Sequence, residues 1–193
     1  MKQITVLLFI LITLSGCGVK ESSVSNTYLN ITSPRQAVYY MAILSWQDRL
    51  DSRSFQDFDF PSLTAMREQV KQNGWNQKTV EDLIEESRKL TCLTMETKDH
   101  WDTPREFAEK NFHGDCEDIA IFMLATLKKL EYPGDVRIFA VKSRFVEHAM
   151  LKVQMPDNSW KLFETVKKTD SHDRFAYTPI VEFDDREIIF ATI

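Results

Sequence analysis

The stretch His113-Gly114-Asp115-Cys116-Glu117-Asp118-Ile119-Ala120 sets a cysteine among carboxylates where an apolar helical pattern begins. Ile119, Phe122, Met123, Leu127 and Leu130 carry that pattern onward at helical spacing. Gly114 stands just before it, so Cys116 falls in the expected first turn. A helix N-terminus offers unbonded backbone N–H groups and partial positive charge, which favour a thiolate over a thiol. The flanking acids act the other way, since negative charge nearby disfavours a thiolate. A nucleophile here therefore needs an imidazole partner and needs Asp115 and Glu117 to point away from sulfur.

Upstream of this stretch the chain reads as helices. Ser33-Pro34-Arg35-Gln36 combines an N-cap serine, a proline at the first helical position and a capping-box glutamine. Val38, Met41, Leu44 and Trp46 follow as the expected inward side of a helix ending near Asp51, with Tyr39, Tyr40 and Trp46 open to core or cleft roles. Ser62 opens a second helix through Leu63, Met66 and Val70, stopped at Asn73-Gly74. A third runs from about Lys78 to Leu90 with its charges as a solvated face. Leu90 to Thr94 reads as extended, and Cys92, with no polar cluster around it, as a buried structural cysteine. Thr103-Pro104-Arg105-Glu106 is a further capping box, followed by a short helix and the loop Phe112-His113-Gly114.

After Tyr132-Pro133-Gly134 the period changes from helical to alternating. Val136–Val141, Glu147–Val153 and Trp160–Thr165 read as a three-strand meander, with Met155 to Ser159 as the second turn. Ile180–Phe183 and Ile188–Ile193 add two strands through Asp184-Asp185-Arg186. Helices followed by antiparallel strands define an α+β class.

Trp101-Asp102-Thr103-Pro104-Arg105-Glu106-Phe107, then Gly114-Asp115-Cys116-Glu117-Asp118-Ile119-Ala120, then His148-Ala149-Met150-Leu151, together resemble the bacterial transglutaminase-like cysteine proteinases. The match spans about Trp101 to Thr165; residues 18–90 carry no matching motif. The resemblance implies a papain-like core with the cysteine at a helix N-terminus. It also implies Cys116 as nucleophile, His148 as its base, and a third residue that orients the imidazole. The family's usual aspartate is replaced here by Glu164, with Asp157 and Asn158 as rivals in the hairpin turn. The Cys116 N–H is an expected oxyanion donor, and Trp101 belongs either near the site or in the core. Some members of the family bind calcium beside the nucleophile, which makes Asp115 and Glu117 candidate ligands as well as candidate helix caps. Hydrolysis of an amide through an acyl-thioester is the implied activity. Acyl transfer to an amine, or a non-catalytic envelope lipoprotein that keeps the fold for binding, are the alternatives.

The N-terminus implies where this chemistry would operate. Lys2, the apolar run Val6–Leu14 and Leu14-Ser15-Gly16-Cys17 resemble a lipoprotein export signal. The implied organisation is a signal peptide over 1–16, a lipidated Cys17 with a polar tether over 17–31, and one domain over 32–193. The expected location is the cell envelope, held at the outer membrane by the Cys17 lipid and facing the periplasm. The expected partners are that membrane and a protein or peptide substrate. A formal charge of −5 argues against nucleic acid. A Cys92–Cys116 disulfide is permitted in such a compartment and would silence the nucleophile. Cys92, His100, His113 and Cys116 are too irregularly spaced to suggest zinc, and His100 and His172 read as surface residues.

Overall fold

The computed structural model describes residues 31–51, 53–94, 100–142, 146–166 and 177–191. The signal segment, Cys17, the tether up to residue 30, His172 and the last two residues lie outside the described residues. Helix α1 spans Pro34–Arg49, α2 Leu63–Asn73, α3 Gln77–Leu90, α4 Pro104–Glu109 and α5 Cys116–Lys129. The strands are β1 Cys92–Leu93, β2 His113–Gly114, β3 Val136–Lys142, β4 Glu147–Gln154, β5 Trp160–Glu164, β6 Thr178–Phe183 and β7 Ile188–Phe190.

Five strands form one antiparallel sheet in the order β5-β4-β3-β6-β7. The expected meander is its left half, and β6 and β7 add to the free edge of β3. Helix α5 packs on β3 and β4 with one side and on α3 and α4 with another. It is buried almost all round, from Asp118 through Leu127, which makes it the central helix of the domain. Ile138, Ala149, Leu151 and Val153 meet it from the sheet, and Val80, Leu83 and Phe107 from the helices.

Three local expectations are corrected. His113-Gly114 is not loop but a short strand, pairing in parallel with Cys92-Leu93. That pairing lifts Cys92 to the surface, so it is exposed rather than buried. In α1, Val38 and Met41 are each 65% exposed. Trp46 is buried as expected, but the helix rests on β6 and β7 with Gln36 and Ile43 beside it in place of Val38 and Met41. Gln36 enters because its amide closes the capping box at Ser33 and donates to the Ala191 carbonyl at 3.2 Å, so burial leaves it satisfied.

Candidate functional site

The start of α5 is held by its own third helical residue. Asp118 is buried, and its carboxylate accepts the N–H of Asp115 at 3.3 Å and that of Asp102 at 2.7 Å. Burial pushes its pKa up to about 7; the two N–H donors oppose that rise, while the charges of Asp102 and Glu117 add to it. Gly114 makes the approach possible. A Cβ there would collide with the Asp118 carboxylate and come within 2.8 Å of both Asp118 Cβ and Phe107 Cε2. Asp102 is itself fully buried; Lys110 Nζ lies 2.7 Å from its Oδ2, and its carbonyl accepts from Trp46 Nε1 at 3.2 Å. The capping box at Thr103 and Glu106 forms as expected. Trp101 is thereby fixed beside the start of α5, stacked on Phe183 at 5.3 Å.

These elements enclose a cleft of about 130 Å³. Cys116 and Glu117 line it from α5, His148 and Ala149 from β4, and Val38, Tyr39 and Ala42 from α1, over a floor that includes Trp101, Ile138 and Phe183. Cys116 and His148, far apart in sequence, thus share one site. The His148 Nε2 lies 2.7 Å from Glu164 Oε2. Glu164 pairs opposite Met150, so its side chain and that of His148 share one face of the sheet. The extra methylene of glutamate spans the diagonal between them. Asp157 is at the other end of the hairpin, bonded to Ser159, and does not approach the histidine. With Nε2 engaged by Glu164, proton exchange with Cys116 would have to run through Nδ1.

One requirement is not met as expected. Glu117 does not point away from sulfur: the Cys116 thiol donates to Glu117 Oε2 at 3.0 Å. Burial raises the thiol pKa well above its ordinary value. The charge of Glu117 and its hydrogen bond add to that, the Ala149 backbone group opposes it, and Asp115 contributes last. In this conformation the helix terminus does not win, because the residue after the cysteine supplies a nearer and stronger negative charge. Cys92 and Cys116 are both free thiols, so the disulfide is not formed.

Sequence reasoning missed three residues. Asp118 could have been found as the capping-box partner three positions after Asp115. Nothing in the sequence singles out Asp102 as buried. Glu147 gathers α1 onto β4: it accepts from the Tyr39 hydroxyl at 2.9 Å and forms an ion pair with Arg35. Tyr39, left between core and cleft, is a cleft residue packed edge-on against Trp101 at 5.9 Å.

For a metal, Asp115 and Glu117 offer hard oxygen donors that suit calcium. Among the described residues, no third His, Cys, Asp or Glu side chain gathers with both of them. Among the described residues, the ligand atoms that converge are those of His100, Asp102 and Glu106. Arg49 and Lys110 already supply cations to that group. Cys92, His100, His113 and Cys116 do not gather, in keeping with their irregular spacing.

A cysteine at the start of a central helix, against an antiparallel sheet that carries the histidine, is the arrangement of a transglutaminase-like α+β core. Among solved structures, calcium-bound LapG of Legionella pneumophila is similar over 81% of this chain and 87% of its own, at 19% identity and a TM-score of 0.52. The EGTA-treated form of LapG matches at 0.50 over 79% and 87%, again at 19% identity. This likeness establishes the fold. No protein-family model matches the chain, and no curated protein does.

The two free thiols give an internal comparison. Alkylation by iodoacetamide at pH 7.5, resolved by peptide mapping, should modify exposed Cys92 first, with Cys116 slower by roughly tenfold or more, one raised pKa unit being a factor of ten in thiolate. Because the shift is upward, the Cys116 rate should keep climbing well above the pH at which an ordinary thiol, of pKa about 8.5, levels off. Glu117→Gln should narrow the gap; an unchanged gap would remove Glu117 as its cause.

Proposed function

We propose that the protein is a transglutaminase-like cysteine peptidase that hydrolyses an amide through an acyl-thioester on Cys116. The observation that carries this is the 2.7 Å contact of His148 Nε2 with Glu164, in a cleft that also holds a cysteine at a helix start. In the proposed reaction Glu164 fixes the imidazole tautomer and orientation, and His148 Nδ1 takes the Cys116 proton as sulfur attacks the carbonyl carbon. The carbonyl oxygen becomes an oxyanion facing the Cys116 N–H at the helix start. His148 then returns the proton to the amine nitrogen as the C–N bond breaks. Water gives a proton to His148 and attacks the thioester; the acid leaves, and the thiol is restored. The first step requires the thiol to exchange its Glu117 contact for His148.

We further propose that the chain is a lipoprotein anchored through Cys17 in the cell envelope, acting there on a protein or peptide. The lipobox-like Leu14–Cys17 supports this. Calcium is the proposed ion for Asp115 and Glu117, on the strength of their donor chemistry and of the calcium-bound state of LapG.

p-Nitrophenyl acetate supplies an acyl group without knowledge of the natural substrate. Acetylation of Cys116 should vanish in Cys116→Ala and fall about 10²–10⁴-fold in His148→Ala, the usual worth of a general base. Full acetylation without His148 would sink the dyad. Adding putrescine separates the outcomes, since amide product in place of acetate would make the protein an acyl transferase. Calcium should raise the thermal midpoint of unfolding, EGTA should reverse it, and Asp115→Asn with Glu117→Gln should abolish it. Cys17→Ser should move the protein from the membrane fraction to the soluble one; retention in the membrane fraction would rule out the lipid anchor.

A further inference from the structure

Helix α1 leaves two large apolar side chains uncovered beside the cleft. Val38 is 65% exposed yet forms part of the cleft wall, and Met41, one turn further along, is equally exposed. Neither is needed by the core, which takes Ile43 and Trp46 from this helix instead. Both stand on a rigid support. The Tyr39 ring, next to Val38 in the cleft wall, is held edge-on by Trp101, its hydroxyl is bonded to Glu147, and Arg35 pairs with the same carboxylate. The ridge is continuous with the space over Cys116, and that space is small. A volume of about 130 Å³ is well below the roughly 300–1,000 Å³ of sites that enclose a whole ligand. It is too small to enclose a stretch of peptide, so residues next to the reacting one rest on its rim.

We infer that the Val38–Met41 ridge is a substrate subsite. It seats a bulky apolar side chain adjacent to the reacting carbonyl of an extended polypeptide, while the cleft itself takes only the reacting group. The inference rests on the proposed function in assigning the occupant to substrate. Its physical basis is separate. Two apolar side chains kept in water next to a nucleophile gain free energy only when something apolar covers them. Val38 lines the cleft with Cys116, and Met41 stands one turn further along the same helix, so an apolar side chain next to the reacting group meets Val38 first and Met41 beyond it. The substrate class is thus a flexible or unfolded polypeptide segment with a residue such as leucine next to the reacting position.

The test uses peptides that carry an S-thiopyridyl cysteine, flanked by Leu or by Gln on either its N-terminal or its C-terminal side. Cys116 attacks the peptide disulfide, the new disulfide joins Cys116 to the peptide, and thiopyridone leaves. The rate is read from thiopyridone release and assigned to Cys116 by peptide mapping of the full chain. On one of the two sides, Leu should react roughly tenfold faster than Gln, the worth of partly burying one leucine. Val38→Thr with Met41→Gln, which keeps size and helix propensity, should bring that ratio to within about twofold of unity. Equal rates for Leu and Gln on both sides of the wild type, or a ratio untouched by the double variant, would overturn the subsite. A wild-type dimer in sedimentation that Met41→Gln dissolves would overturn it too, by assigning the ridge to a second copy. His148→Ala separates this from the function itself. A fall in all rates with the Leu/Gln ratio kept supports both proposals. A kept ratio without dependence on His148 leaves the subsite and removes the dyad. Dependence on His148 without a ratio does the reverse.

Discussion

Asp118 has no access to solvent, and its carboxylate binds the backbone N–H groups of both Asp115 and Asp102. One of these belongs to the start of α5 and the other to the segment that carries Trp101. A single buried acid therefore joins the two motifs that lie on either side of α4. The cost of burying a charge is offset only where donors are aimed at it. That requirement explains the glycine at 114, where any side chain would displace the carboxylate. It also explains why Asp102 is anchored again, by Lys110 and by the indole of Trp46. Removing this junction would leave the α5 start and the Trp101 wall of the cleft free to separate.

The chemistry of the cleft follows from what that junction fixes. The start of α5 is rigid, so Cys116 is presented to β4 at His148 and Ala149. The same rigidity places Glu117 on the cleft side, where it accepts the thiol proton. Two forces thus compete for one proton: a helix terminus and an imidazole on one side, burial and a carboxylate on the other. In the resting conformation burial and the carboxylate win. A thiol held in this way is protected, and under the proposed function its activation would depend on where Glu117 goes. The histidine, by contrast, already meets its carboxylate, because the length of Glu164 makes up for its position across the diagonal of the β4–β5 pair.

Helix α1 shows how a periodic pattern can mislead. Val38, Met41 and Leu44 recur at helical spacing, which is the usual mark of a buried stripe. The helix is instead rotated so that Gln36, Ile43 and Trp46 face β6 and β7. Periodicity identifies a helix that has an apolar side; it cannot say which surface the protein supplies to cover it. Here Trp46 decides the rotation, since a buried indole needs an acceptor and finds it in the Asp102 carbonyl. The apolar residues displaced by that choice are left at the mouth of the cleft.

The α+β class, the capped starts of α1 and α4, the central helix after Cys116 and the β3–β4–β5 meander were legible from residues 33–165 alone. They depend on local chemistry: side-chain caps, prolines at first turns, and a change of period from helical to alternating. Cys116 and His148 were legible as residues of one site only through the family resemblance that their motifs carry, and the structure lines one cleft with both. Other features needed the folded chain. They include the surface position of Cys92, the parallel pairing of Cys92-Leu93 with His113-Gly114, the contact of Glu117 with sulfur, the choice of Glu164 over Asp157, and the burial of Asp102 and Asp118. Each of these depends on which groups a residue meets from distant parts of the chain. Burial and long-range hydrogen bonding set those meetings, and neither has a signature in sequence spacing.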